Sequence, residues 1–241
     1  MNEKMIFHYN YPVDTMDLNM HHRLRSSRLL ELVQHVSGLH AEALGLGEDV
    51  LLSKDLAWVV VRQKMIIHRL PGRGETMFFT TWPGRGLHGL FPRYLEIKDE
   101  EGQPLADCCF IWVILNRSSR EMVQPAALGL EMPAAERDAL MPLPRIPKAL
   151  LPEVSRESFT VPYHYIDFVG HMNNARYLDT AENFIDSVKE GAALKEAVIE
   201  YAHELLLGES MELCIGREGN RWSVQGKRGD KTIVSLFLEY A

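Results

Sequence analysis

Residues 161–174 read VPYHYIDFVGHMNN, and they lead into a segment where Tyr177, Leu178, Ala181, Phe184, Ile185 and Val188 share one face at helical spacing. Residues 11–22, YPVDTMDLNMHH, match that stretch at an offset of 150 residues through Pro12/Pro162, Asp17/Asp167 and His21/His171. They too precede an amphipathic helical segment. Gly74-Glu75-Thr76-Met77 recurs as Gly208-Glu209-Ser210-Met211. The shared order of loop, helix and strands points to a duplicated unit.

In the first half, Ser26 or Ser27 can cap a helix reaching about Leu44, with Leu29, Val33, Val36 and His40 on one stripe and Gly45 and Gly47 ending it. The β-rich runs LAWVVVRQKMIIHRL, ETMFFTTWP, GLFPRYLEIKD and PLADCCFIWVILN follow, separated by turn signals. The second half repeats the order, from SFTVPY through the loop and helix to KEAVIEYAHELL, ESMELCIG, NRWSVQGK and KTIVSLFLEYA. A long helix followed by antiparallel strands suits a curved sheet wrapped around that helix, which makes the class α+β. Between the halves, Pro133, Pro142, Pro144, Pro147 and Pro152 suit neither a helix interior nor a central strand. The expected division is a first domain over 1–131, a proline-rich linker over 132–154 and a second domain over 155–241.

A length of 241 residues accommodates two such domains. A charged fraction of 24% with 46% hydrophobic residues is ordinary for a globular chain, and a net charge of −7 argues against nucleic acid as a partner. Arg62 interrupts the apolar run LAWVVV, and Asp14 and Asp17 follow closely on a start with no apolar core. Neither a membrane span nor a signal peptide is expected, and a cytoplasmic address follows. Cys108 and Cys109 are adjacent in a strand and so point to opposite faces; with Cys214 they lack the paired spacing of a metal site and read as buried filler. No metal or organic cofactor is implied.

Asp167, His171, Asn173 and Asn174 cluster at the mouth of the second helix, where free backbone N–H groups favour developing negative charge. Such a place suits acyl transfer, which needs a donor for an oxyanion and a carboxylate or imidazole to take a proton from water. The same residues would also serve as a helix cap and an ordinary loop histidine.

The order DFVGHMNNARYL resembles the signature loop of hot-dog-fold acyl thioesterases, and almost the whole chain resembles the acyl-acyl carrier protein thioesterases of plants and bacteria. In the first half the resemblance rests on LAWVVVRQKMIIHRLPGRGETM, TTW and FIWVILNRSSREMV; in the second, on the D-x-N-x-H-V-N-N pattern and on Tyr201-Ala-His-Glu204, which looks like the family's Y-R-R-E strand. It implies two tandem hot-dog domains, each a long central helix wrapped by a curved antiparallel sheet, with the second one catalytic. It makes Asp167, His171 and Glu204 the catalytic set, Asn173, Asn174 and Trp58 substrate-binding residues, and Trp58, Trp82, Phe110 and Trp112 the acyl-pocket wall.

The implied reaction is hydrolysis of acyl carrier protein thioesters by carboxylate-activated water, ending fatty acid synthesis. The acidic carrier would dock on Arg62, Arg69, Arg73, Arg85 and Arg93, with Arg145 and Lys148 assisting. A coenzyme A thioesterase and a non-catalytic acyl-thioester sensor are the alternatives, and a homodimer is left open. Two positions depart from the plant pattern: Val169 replaces its asparagine and Leu205 its cysteine, which removes any cysteine nucleophile. The first copy carries Arg23 and Leu24 where the second has its Asn pair, so no complete site is expected there.

Overall fold

A computed structural model describes residues 3–125, 132–147 and 149–241. Lys148 and the first-domain boundary at 131 lie outside them. β2 (Leu56–Ile67), β3 (Thr76–Pro83), β4 (Phe91–Lys98) and β5 (Pro104–Asn116) follow β1 (Phe7–Pro12) and the helices α1 (Ser26–Ala43) and α2 (Glu48–Leu52). In the second half, β6 (Glu153–Thr160) precedes α3 (Asn174–Glu182) and α4 (Asp186–Lys189), and β7 (Leu194–Tyr201), β8 (Ser210–Glu218), β9 (Arg221–Arg228) and β10 (Lys231–Tyr240) complete the chain.

All ten strands join one antiparallel sheet in the order β1-β3-β4-β5-β2-β7-β10-β9-β8-β6. The first five neighbours are mirrored by the second five, so the duplication is visible in the pairing itself. The halves meet where β2 pairs with β7, setting Arg62 opposite Glu200 and Lys64 opposite Val198. One face of the sheet curves around α1 and α3, and a single apolar cluster runs through both halves, from Leu29, Val33 and Phe110 to Leu178, Ile199 and Val224. This is the α+β, tandem hot-dog arrangement.

Strand alternation sends Cys108 into that shared core and Cys109 to the opposite face, where it meets Trp82, Tyr94, Ile111 and Met141. Burial pushes both thiols up, Cys109 to about 12, which makes them poor nucleophiles at neutral pH. Trp82 therefore lies on the far side of the sheet from the helices, capped by Arg137 at 3.8 Å from its ring. Of the expected pocket aromatics, Phe110 is fully buried in the shared core, while Trp58 stands edge-on to Phe91 and Trp112 and donates its indole N–H to Leu46 O at 3.0 Å.

Three local expectations change. α1 begins after Arg25, which makes no side-chain cap, and Ser26 and Ser27 are its first helical residues. Gly47 does not merely end α1; it opens α2. The second helix stops at Glu182 rather than running through Val188, because Ile185 takes an extended conformation (φ −105°, ψ 103°) that drives its side chain into the core before α4 starts.

The duplication also has a different register. The Val13 N–H bonds Glu75 O at 2.9 Å and the Gly74 N–H bonds Val13 O at 3.0 Å; Val161 with Glu209, and Gly208 with Val161, repeat this at 2.9 and 3.0 Å. Gly74 and Gly208 occupy the same left-handed turn, at φ 84° and 76°. Val13 and Val161 are 148 residues apart, as are the helix caps Arg25 and Asn173. The Pro/Asp/His match at 150 is therefore two residues out of step with the backbone.

Candidate active site

The loop before α3 is built by its own hydrogen bonds. The Asp167 N–H donates to His171 O at 2.9 Å, the Gly170 N–H to Asp167 O at 3.0 Å, and the Val169 N–H to the Asp167 carboxylate Oδ1 at 3.1 Å. Gly170 has φ 88°, where a β-carbon would be strained. The Met172 N–H then bonds Leu205 O at 2.8 Å, which brings the segment after β7 that carries Glu204 alongside the loop.

His171 Nε2 lies 2.9 Å from Glu204 Oε2. Both Glu204 and Asp167 also border α3 at Tyr177, whose hydroxyl pKa is raised by burial above all and further by these two carboxylates. Asp167 also sits near α2: after burial, Asp49 and Glu42, it is among the influences that raise the Glu48 carboxyl. Trp58, packed around Leu51 and Ile114, supports that same helix.

Asn173 caps α3, accepting the Ala175 N–H at 2.9 Å. That bond engages the carboxamide oxygen, so of its two expected functions capping is the visible one. Asn174 accepts the Tyr201 hydroxyl on its backbone oxygen at 3.0 Å, and among the described residues its N–H donates to no protein group. The first residue of α3, three positions after His171, thus has a backbone amide without a protein acceptor among the described residues.

Arg120 was not singled out from the sequence. It follows β5, in the first half, and pairs with Glu204 through a hydrogen bond from Nη1 to Oε2 at 3.0 Å and an ion-pair contact of Nη2 with Oε1 at 2.9 Å. An exposed arginine in a turn has no local signature, and only the tertiary pairing reveals it.

The corresponding place in the first half is empty of this chemistry. In the 148-residue register, Asn19 stands for Asp167 and Arg23 for His171, and the Leu24 N–H bond to Pro71 O at 2.8 Å sets Leu70 at the position of Glu204. Asn19 keeps the loop-building role, accepting the N–H groups of His21 and Arg23 at 3.0 and 3.2 Å. Asp17 and His21 do other work. Burial would raise the Asp17 carboxyl, but bonds from the Asp14 N–H, the Tyr11 hydroxyl and Arg28 outweigh it and hold it below the ordinary value. His21 contacts Lys189 O at 3.2 Å and Arg23 donates to Gly191 O, so the second half's α4 turn covers this loop.

The arginines expected to receive a partner divide. Arg62 pairs with Glu200, Arg69 with Glu75 and Asp99, and Arg93 turns inward to His40 Nδ1 at 2.8 Å. Arg73 and Arg85 are exposed and have no protein partner among the described residues. A recess of about 450 Å³ lined by Arg62, Arg145, Ile146, Pro147 and Glu200 contains none of the Asp167–His171–Glu204 set. No described helix is long and apolar enough to cross a membrane.

Residues 4–126 match the acyl-ACP thioesterase N-terminal domain and residues 149–232 the acyl-ACP thioesterase C-terminal domain. A chloroplastic acyl-[acyl-carrier-protein] hydrolase of Cuphea viscosissima is 22% identical over 221 residues, 85% of this chain and 53% of the relative. A dodecanoyl-[acyl-carrier-protein] hydrolase of Cinnamomum camphora is 25% identical over 206 residues, 78% of this chain and 54% of the relative. The chain thus spans about half the length of these curated relatives. In fold, it superposes on an acyl-ACP thioesterase from Bacteroides thetaiotaomicron with a TM-score of 0.82 at 19% identity, covering 99% of both chains. The 12:0-ACP thioesterase of Umbellularia californica gives 0.80 at 18% identity, covering 98% of this chain and 97% of that one.

Proposed function

The chain belongs to the acyl-ACP thioesterase family, and from that premise we propose that it is a cytoplasmic hydrolase of acyl thioesters carried on acyl carrier protein. The observation that carries this reading is the His171–Glu204 pair, 2.9 Å apart, at the loop that leads into α3, whose first amide, that of Asn174, has no protein acceptor among the described residues.

The thioester carbonyl oxygen takes the Asn174 N–H. Glu204 accepts a proton from water as its oxygen bonds to the carbonyl carbon, and the amide and the helix dipole hold the resulting oxyanion. The carbon–sulfur bond then breaks, the proton passes to the leaving sulfur with His171 as relay, and a carboxylic acid and a thiol are released. Asp167 shapes the loop that presents His171. Neither step requires the asparagine and cysteine replaced by Val169 and Leu205. Exposed Phe168, Val169, Leu206 and Leu207 on the two loops give an apolar rim suited to the substrate's arm.

The catalytic residues come from the second half, the first half supplies the wall around Trp58, and the proline-rich stretch 132–154 links the two. Arg73 and Arg85, exposed and without a protein partner among the described residues, are the best placed of the basic residues to receive an acidic carrier.

Hydrolysis of matched carrier-protein and coenzyme A thioesters, with acyl groups graded around dodecanoyl and palmitoyl, tests carrier and chain length together. Faster thiol release from the carrier-protein series is expected, and Glu204→Gln should lower turnover by roughly 10²–10⁴-fold. Near-normal turnover in folded Glu204→Gln and Asp167→Asn variants would overturn the site assignment.

A further inference from the structure

Resting on that reading, we infer that Arg120 is a positioning residue for Glu204, so that the hydrolytic site of the second half is completed by a side chain from the first. Nη1 donates a hydrogen bond to Oε2 at 3.0 Å and Nη2 makes an ion-pair contact with Oε1 at 2.9 Å, so each carboxylate oxygen meets its own guanidinium nitrogen and the carboxylate is restrained at both ends. With the carboxylate so restrained, Oε2 lies 2.9 Å from His171 Nε2. Nη2 is itself only 3.3 Å from that nitrogen, so the guanidinium meets both members of the pair.

Apart from Arg120 and His171, no described residue holds the Glu204 side chain. Its strand has ended, the neighbouring Ala202 and His203 are exposed, and those two are tied to Ile233 O only through their backbone amides. A glutamate on such a segment would sample several rotamers without the Arg120 pairing.

The arm that carries Arg120 is correspondingly firm. The Arg120 N–H bonds Asn116 O at 2.9 Å, the Ser119 N–H bonds Asn116 Oδ1 at 2.7 Å, and Leu115 bridges to Met122 just beyond. Arg120 also adopts φ 62°, a left-handed conformation uncommon for residues other than glycine. Stability does not account for an arginine here, because solvent-exposed ion pairs contribute little and glycine would relieve the backbone. Strain kept at a functional side chain is the pattern expected of a positioning group.

Arg120→Gly and Arg120→Lys, assayed beside wild type on one acyl carrier protein thioester, test this. Arg120→Gly should melt no lower than wild type, lose roughly 10–100-fold in kcat with little change in KM, and recover part of the loss when guanidinium is added. Arg120→Lys, which can reach Glu204 but with one nitrogen only, should fall between. Wild-type kcat in Arg120→Gly, a loss confined to KM, or a loss that follows a lowered Tm and ignores guanidinium overturns the inference while leaving the hydrolase reading in place. A wild-type chain that releases no thiol from any acyl thioester overturns both.

Discussion

His40 is almost fully buried on α1, its ring stacked on Phe7 at 5.4 Å between Arg93 and the chain start. Arg93 can only donate, so Nδ1 accepts and Nε2 carries the hydrogen that meets Lys4 O at 3.0 Å. Burial, with the Arg93 charge against it and the Lys4 carbonyl partly in its favour, pushes the imidazolium pKa from 6.5 down to about 4. The unfolded chain then binds the extra proton first as pH falls. The stability owed to neutral His40 is complete above about pH 6.5 and is lost on descending to about 4, by about 3 kcal/mol. Glu182 runs the other way. Burial, offset in part by Ser26 and Tyr240, lifts its carboxyl from 4.5 to about 7, so its contribution is present below 4.5 and lost as pH rises towards 7, by no more than about 3 kcal/mol. Denaturant melts across pH 4–7 should therefore show His40→Gln flattening the acid loss and Glu182→Gln removing the opposite slope. Unchanged pH profiles in both variants would contradict these assignments.

At the level of elements, the helix mouth shows what the chain made legible and what it hid. Asn173 fits a cap by residue type and a ligand by resemblance, and the 2.9 Å bond to the Ala175 N–H realises the cap. Asn173→Ala should cost about 1 kcal/mol, a fall in Tm of roughly 2–4 °C for a chain of this size, whereas Asn173→Ser should stay near wild type. Differential scanning fluorimetry distinguishes the two, and equal Tm values for Ala and Ser would deny the cap. The strands and α1 could be read because alternation and helical spacing are local properties. Three features could not. The Phe184, Ile185, Val188 spacing looked continuous because the break after Glu182 returns Ile185 to the same core. Ser26 reads as a cap, yet it faces Glu182 across the two helices. Asp17 and His21 imitated the second loop by residue identity, although backbone bonds pair Asn19 and Arg23 with Asp167 and His171. Asp167, His171 and Glu204 were nameable because they sit in short recognisable strings, while Arg120 needed the fold to bring it 84 residues along the chain to Glu204.

For the molecule as a whole, the sequence reads as two domains on a linker, and two such domains would be free to unfold separately. The structure argues for one cooperative unit. The β2–β7 ladder makes the sheet continuous, Lys64 and Glu196 pair across it at 2.8 Å, and the apolar core has no division at the seam. A buried polar chain crosses at the same place: Gln63 Nε2 donates to the Tyr201 hydroxyl at 2.7 Å, and that hydroxyl donates to Asn174 O at 3.0 Å, tying a first-half strand to the helix mouth of the site. Tyr201→Phe keeps the ring and leaves both the Gln63 amide and the Asn174 carbonyl short of a partner, at a cost of about 1–3 kcal/mol. Hydrogen exchange followed by mass spectrometry at rising denaturant can read β5 and β10 separately. In wild type both should lose protection at one midpoint, and Tyr201→Phe should lower that midpoint for both together. If β10 opened early in the variant while β5 kept its wild-type midpoint, the halves would be independently stable and the seam would be a contact rather than a shared core.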